Sequence, residues 1–218
     1  MRGGEAVAVD LDGRTLRWGA RRARRLLGEN ASRMHFIEAD VRAIRPPRVP
    51  PVDVIAALNF SALVFHARAD MLTYFQEARR GLAPDGAFVL MAFGGPGYMR
   101  PRRHRRVIRR TALYPGEPAP PPFEYVWDQR SYDAVSARLD CRLHFVVRGP
   151  GARRHLIEDA FRYDCRVWGL AELVDLLGDA GFRRTAVWQH RNRGRGGVFE
   201  PVTRLRGDRW VAYIVGLR

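Results

Sequence analysis

Ala6-Val7-Ala8-Val9-Asp10-Leu11-Asp12 decides how this chain is read. Small and apolar residues run from Ala6 to Val9, and acids follow at Asp10 and Asp12. A short apolar run bounded by polar turn residues suits a buried strand of a parallel sheet. An acid at the carboxyl end of such a strand stands where open α/β sheets bind ligands. In nucleotide-binding sheets it accepts hydrogen bonds from ribose hydroxyls.

Downstream the pattern of strand, polar residue and helix repeats. Residues 14–27 predict a helix: Leu16, Ala20, Ala23 and Leu27 recur at helical spacing, arginines fill the other faces, and Gly28 stops it. Residues 34–39 predict a strand ending at Asp40, and residues 52–58 a strand ending at Asn59, with a proline-rich loop at 45–51 between them. One polar residue at a strand end is commonly a turn former. Asp10, Asp40 and Asn59 in succession, each leading toward the crevice of a parallel sheet, favour a ligand site.

Asp70 predicts a helix cap, with Leu72, Phe75, Ala78 and Leu82 as the buried stripe. Ala83-Pro84-Asp85-Gly86 predicts a turn in which Pro84 presets φ and Gly86 takes the permissive position. A strand over 87–93 follows and ends at Gly94-Gly95-Pro96-Gly97. Residues 98–122 show no periodicity and predict a loop, with arginines from Arg100 to Arg110 and prolines from Pro118 to Pro122. The period then changes to two. Residues 123–127, 139–147 and 161–167 predict an antiparallel sheet, with Leu143, Phe145, Phe161 and Tyr163 on covered faces and Arg148-Gly149-Pro150-Gly151 turning the chain. Residues 170–180 read as a helix, 184–190 and 209–217 as the last strands, and 191–207 as a loop rich in Gly and Arg.

The chain has 218 residues, enough for one α/β domain with an elaboration, and its 46% hydrophobic content argues against disorder. No apolar run approaches the ~18 residues that span a membrane, and the first residues carry no secretory signal, so the expectation is a cytoplasmic protein. Cys141 and Cys165 fall on the apolar phase of strands and read as small hydrophobes, with no metal site. The net charge of +15 admits a nucleic-acid partner. All 38 basic residues are arginine, however, and this reads more readily as GC-rich coding bias.

In this order the chain resembles the class I S-adenosylmethionine-dependent methyltransferases. The matching pieces are residues 6–12, 36–41, 52–61, 81–93 and Ala180-Gly181-Phe182, with Leu82-Ala83-Pro84-Asp85-Gly86-Ala87 the most specific. The resemblance implies an α/β fold with a Rossmann-like sheet, mostly parallel with an antiparallel last strand, and a small inserted antiparallel sheet. It implies three regions: a cofactor-binding core over 1–97, a basic loop and substrate lid over 98–168, and the rest of the core over 169–218. The implied cofactor is S-adenosylmethionine. Asp10 and the adjoining Leu11 would meet its ribose, Asp40 and Val41 its adenine, and Asn59 and Phe60 its sulfonium and the incoming substrate. Tyr125, Trp127, Arg166 and Trp168 are candidates to line the substrate pocket, with core packing as the alternative. His144, on the polar phase of the inserted sheet, is the candidate general base, with an exposed surface residue as the alternative.

The family's first strand and Gly-rich loop have no counterpart here, and no glycine cluster replaces them. That strand belongs between the strands at 6–10 and 52–58. Its lack leaves two central edges unpaired or forces them together, so the expectation is an N-terminally truncated enzyme with weak cofactor binding. The leading reading is methyl transfer to a small molecule. The alternatives are an RNA methyltransferase, a nicotinamide dehydrogenase and a non-catalytic binding protein of the same fold.

Overall fold

A computed structural model describes residues 4–44, 49–109, 121–148, 154–193 and 196–218. The proline-rich stretch at 45–48, the prolines Pro118 and Pro120, and the turn at Gly149-Pro150-Gly151 lie outside them.

Strand β1 (Ala6–Asp10) leads into helix α1 (Gly13–Leu27), and strand β2 (Met34–Glu38) returns parallel to β1. The helix starts where Asp12 accepts from the Arg14 N–H, and stops at Gly28, whose φ of 55° suits glycine. Strand β3 (Val52–Ala57), helix α2 (Arg68–Gly81) and strand β4 (Leu82–Gly94) form a second parallel unit. Strands β5 (Arg102–Ile108), β6 (Phe123–Asp133), β7 (Arg138–Arg148) and β8 (Arg154–Arg166) make an antiparallel sheet in sequence order. Helix α3 (Leu170–Asp179) then precedes β9 (Arg184–Arg193), β10 (Gly196–Pro201) and β11 (Trp210–Leu217).

The expected continuous sheet is split. Strands β1 and β2 form a two-stranded sheet of their own, and a five-stranded sheet runs β10-β9-β11-β4-β3. Among the described residues no strand lies between β1 and β3, and the two do not pair. The core pairing is also less parallel than expected: β1 with β2 and β3 with β4 are parallel, while β4 with β11, β11 with β9 and β9 with β10 are antiparallel.

The main core lies where α2 and α3 pack on β4 and β11, through Phe75, Phe88, Leu90, Leu173, Leu177 and Ile214. It extends into the inserted sheet through Leu139, Cys141 and Cys165, so both cysteines are buried and burial raises the thiol pKa of each. No residue of β1, α1 or β2 belongs to this core.

Several local expectations need correction. The arginine-rich loop contains β5, an exposed edge strand paired with β6. The Gly- and Arg-rich loop likewise contains β10, paired with β9. On β5 the edge arginines discourage further pairing and erase the alternation that marks a strand. Asp70 does not cap α2: Ala67 is the N-cap, and Asp70 sits in the first turn. In the turn before residue 87 the left-handed residue is Asp85, at φ 62°, not Gly86. Gly86 is needed for room, since a Cβ there would meet the Ala83 carbonyl at 2.9 Å and the Asp53 carbonyl at 3.2 Å. Phe161 is 54% exposed rather than covered.

Candidate functional site

The strand ends hold the polar residues that the sequence singles out. At the end of β1, Asp10 is exposed, and its Oδ1 accepts from the Asp12 N–H at 2.8 Å. Its Oδ2 has no hydrogen-bond partner among the described residues. Asp12 accepts from the Thr15 hydroxyl and the Arg14 N–H at 2.8 Å each. These two bonds hold its carboxyl below the usual carboxylate range, the Thr15 hydroxyl most strongly. Leu11 between them is exposed.

Asp40, two residues past β2, caps the short turn Val41–Ala43, accepting from the Arg42 N–H at 2.8 Å. The Arg42 guanidinium also grips this carboxylate: Nε lies 3.1 Å from both oxygens and Nη2 2.7 Å from Oδ2. Its other arm reaches Asp70 at 2.9 Å, and the group lies 5.3 Å from the Phe65 ring centre. The Arg42 side chain, chiefly, holds the Asp40 carboxyl below its ordinary value. Both oxygens expected to accept from adenine are therefore engaged by Arg42. Val41 packs half-buried against the main core.

Past β3, Asn59 and Phe60 both have left-handed backbones, with φ of 54° and 64°. Asn tolerates that region, whereas for a bulky aromatic it is an outlier. Each such residue costs on the order of 1–3 kcal/mol and persists only where its surroundings hold it. Phe60 is held by Phe93 at the end of β4, edge-on with ring centres 4.9 Å apart. The strain turns the chain sharply and leaves Asn59 exposed at the strand end.

From Phe93 an aromatic wall leads into the inserted sheet. Phe93 meets Tyr98 at 4.4 Å and Trp127 at 6.2 Å, and Trp127 stacks on Tyr163 at 6.2 Å. Tyr163 stacks on Phe161, which meets Phe145 edge-on, and Phe145 meets Tyr125 and Phe123. Burial pushes the Tyr125 phenol up to about 12. Gln129, buried behind Trp127, donates to the Gly97 and Arg100 carbonyls and so ties the wall to the chain after β4. Sequence reasoning missed Phe93, Tyr98 and Gln129, and only the chain break at Gly94-Gly95 hinted at them.

The other named residues lie elsewhere. Trp168 is 1% exposed and donates to the Phe65 carbonyl at 3.1 Å. Arg166 lies 3.9 Å over it and donates to the His66 carbonyl and to Glu172, each at 2.9 Å. That pair joins the end of β8 to the segment after β3 and to α3, away from any open wall. His144 is 1% exposed, so the surface alternative fails. It pairs with Val126 across the strands while Trp127 pairs with Leu143, so it occupies the face opposite the aromatic wall. Its Nδ1 accepts from the Asp159 N–H at 2.9 Å, and its Nε2 lies 3.3 Å from Asp128 Oδ2. Among the described residues no cluster of His, Cys, Asp and Glu is arranged to hold a metal, and no helix is long and apolar enough to cross a membrane.

No protein-family model and no curated protein matches the chain. Solved structures do. An S-adenosylmethionine-dependent methyltransferase from Clostridium acetobutylicum is 14% identical, with a TM-score of 0.63 over 98% of this chain and 75% of that one. Streptomyces venezuelae DesVI is 16% identical, with a TM-score of 0.64 over 96% of this chain and 72% of that one. CalS10, an amino pentose methyltransferase from Micromonospora echinaspora, is 15% identical, with a TM-score of 0.60 over 100% of this chain and 84% of that one. The chain therefore has the α/β fold of the class I S-adenosylmethionine-dependent methyltransferases.

Proposed function

We propose that this protein transfers a methyl group from S-adenosylmethionine to a small-molecule acceptor. The observation that carries the proposal is the aromatic wall. It begins at the strained Asn59–Phe60 turn, where strand ends of this fold hold ligands, and runs onto the half-exposed face of the inserted sheet. In this reading residues 98–168 are the substrate lid over a core made of 1–97 and 169–218.

The residues present fit one half of the cofactor. The exposed Asp10 carboxylate, with Oδ2 uncommitted, suits a vicinal diol. Asp40 is engaged by Arg42, and no glycine-rich turn among the described residues opens a helix beside β3 to cradle the methionine half. When bound, the cofactor supplies a methyl group already activated on sulfonium, so the chain's own task is alignment. The Phe60, Phe93 and Trp127 rings would orient the acceptor and exclude water. His144 faces away from that wall and so takes no part in the alignment.

The test is calorimetric titration with S-adenosylhomocysteine, together with transfer of labelled methyl to a panel of small acceptors. Binding with transfer supports the proposal. A folded chain that binds no S-adenosylhomocysteine favours a non-catalytic protein of this fold, the reading to which the split sheet and the Asp40–Arg42 pair lend weight.

A further inference from the structure

We propose that the overhanging aromatic face of the inserted sheet binds a planar ring bearing a carboxylate or phosphate, with Arg106 taking the anion. This deepens the methyl-transfer reading and rests on it for the acceptor's role. Residues opposite one another in an antiparallel pair share a face. The register therefore aligns Arg106, Tyr125 and Phe145 in one row and His104, Trp127, Leu143 and Phe161 in the next.

Only part of this face is covered. Its end at Leu139, Cys141 and Cys165 packs into the main core. Tyr125, Phe145 and Phe123 are half-buried at the other end, and Phe161 is more than half exposed. Arg106 is exposed and lies 5.9 Å from the Tyr125 ring centre. No carboxylate among the described residues pairs with it. A guanidinium beside a ring keeps its in-plane N–H donors free, and their fork matches a carboxylate or phosphate. Strand spacing puts Arg106 and Phe145 about 10 Å apart across the sheet, the span of a two-ring acid.

Charge decides the occupant. The chain carries +15, so a second copy would bring arginine toward arginine, which disfavours a dimer on this face. A nucleic acid needs a continuous cationic track. Alternation instead sends Arg103 and Arg105 to the opposite face, where Arg105 approaches Glu124 at 3.9 Å, while Arg102, in phase with Arg106, is drawn to Asp208 at 3.8 Å. What remains on the aromatic face is Arg106 with His104 beside it, enough for one anionic group. A ring seated there has its far edge toward Trp127 and Phe93. The atom that accepts methyl therefore lies at the end of the molecule opposite its acid.

The experiment titrates the full chain, without cofactor, against naphthoate and against naphthamide, which has the same ring and no charge. Naphthoate is expected to bind about ten-fold tighter, as for a hydrogen bond to a charged group. Arg106→Gln should abolish the difference and Arg21→Gln, on α1, should leave it. Phe161→Ala should weaken both ligands alike. Equal binding of the two ligands overturns the inference. So does a preference that survives in Arg106→Gln, and so does binding of oligouridylate alone. A parallel titration with S-adenosylhomocysteine reports separately on the methyl-transfer reading. Naphthoate selectivity without it would leave the ring-and-anion site standing and remove the enzyme.

Discussion

Strands β1, of five residues, and β4, of thirteen, each have a parallel partner and an apolar run, and they end in opposite situations. Strand β4 has a neighbour on each side, β3 and β11, and Phe88, Leu90 and Ala92 are fully buried along it. Among the described residues strand β1 pairs only with β2, and none of its own residues is fully buried. Beyond the end of β1, Leu11 is 71% exposed, and on β3, an edge strand of the other sheet, Val54 is 59% exposed. An apolar run thus specifies a strand but not its burial, because burial comes from what packs on the strand's faces and pairs with its edges.

The largest expected effect follows directly. Phe88→Ala should cost about 3–5 kcal/mol, as large-to-small changes in a close-packed core do. Val9→Ala in β1 should cost less, about 1 kcal/mol, since it removes two methyl-sized groups from a side chain that is only partly buried. Urea denaturation of both variants measures the contrast. Equal losses would mean that β1 belongs to the same cooperative core as β4.

What was legible in the sequence was mostly local. Helix α1 could be read because its apolar stripe and the Gly28 stop are local to it. The strand-end positions of Asp10, Asp40 and Asn59 could be read because each follows an apolar run. That Arg42 takes Asp40 could not, because the arrangement depends on Asp70 and Phe65, remote in sequence. The left-handed Phe60 was illegible for a similar reason: propensity argues against it, and the Phe93 ring that packs on it is remote in sequence. Period two puts His144 on the polar phase but says nothing about whether that face is covered, and His144 is 1% exposed, with the Asp159 N–H donating to its ring. Strand β5 was hidden by its own arginines.

The next effect concerns the split itself. A chain extended ahead of Gly4 by a strand, a glycine-rich loop and a helix is expected to join the β1–β2 pair to β3 and to gain cofactor affinity at the same time. Hydrogen exchange should then slow at β1 and β3, whose outer edges have no strand partner among the described residues. Tighter S-adenosylhomocysteine binding with unchanged exchange would show that the added loop acts without closing the sheet. In that extended chain, Asp10→Ala should weaken S-adenosylhomocysteine by at least several-fold, since hydrogen bonds to charged groups are worth about 1.5–3 kcal/mol. Unchanged affinity by calorimetry would remove the ribose role from β1.

The smallest effect tests the tie between the two regions. Arg42 bridges Asp40, after β2, to Asp70 in the first turn of α2. The Asp40 carboxyl is held below its ordinary 3.8, first by its hydrogen bonds with the Arg42 side chain and then by the Arg42 backbone N–H. A carboxylate whose pKa is lower folded than unfolded stabilises the fold above the unfolded value. That contribution is lost as pH falls through the folded value. All three side chains are about a third to a half exposed, so solvent screens the pairs and the whole effect is no more than about 1 kcal/mol. Asp40→Asn should therefore lower the urea midpoint near neutral pH, and the difference from the parent chain should shrink once the pH drops well below 3.8. High salt should shrink it as well. A difference that stays constant through acid and salt would mean that the Asp40 side chain acts as a turn cap, through its bond to the Arg42 N–H, and that the β1–β2 unit is held to α2 by packing of Val41 rather than by charge.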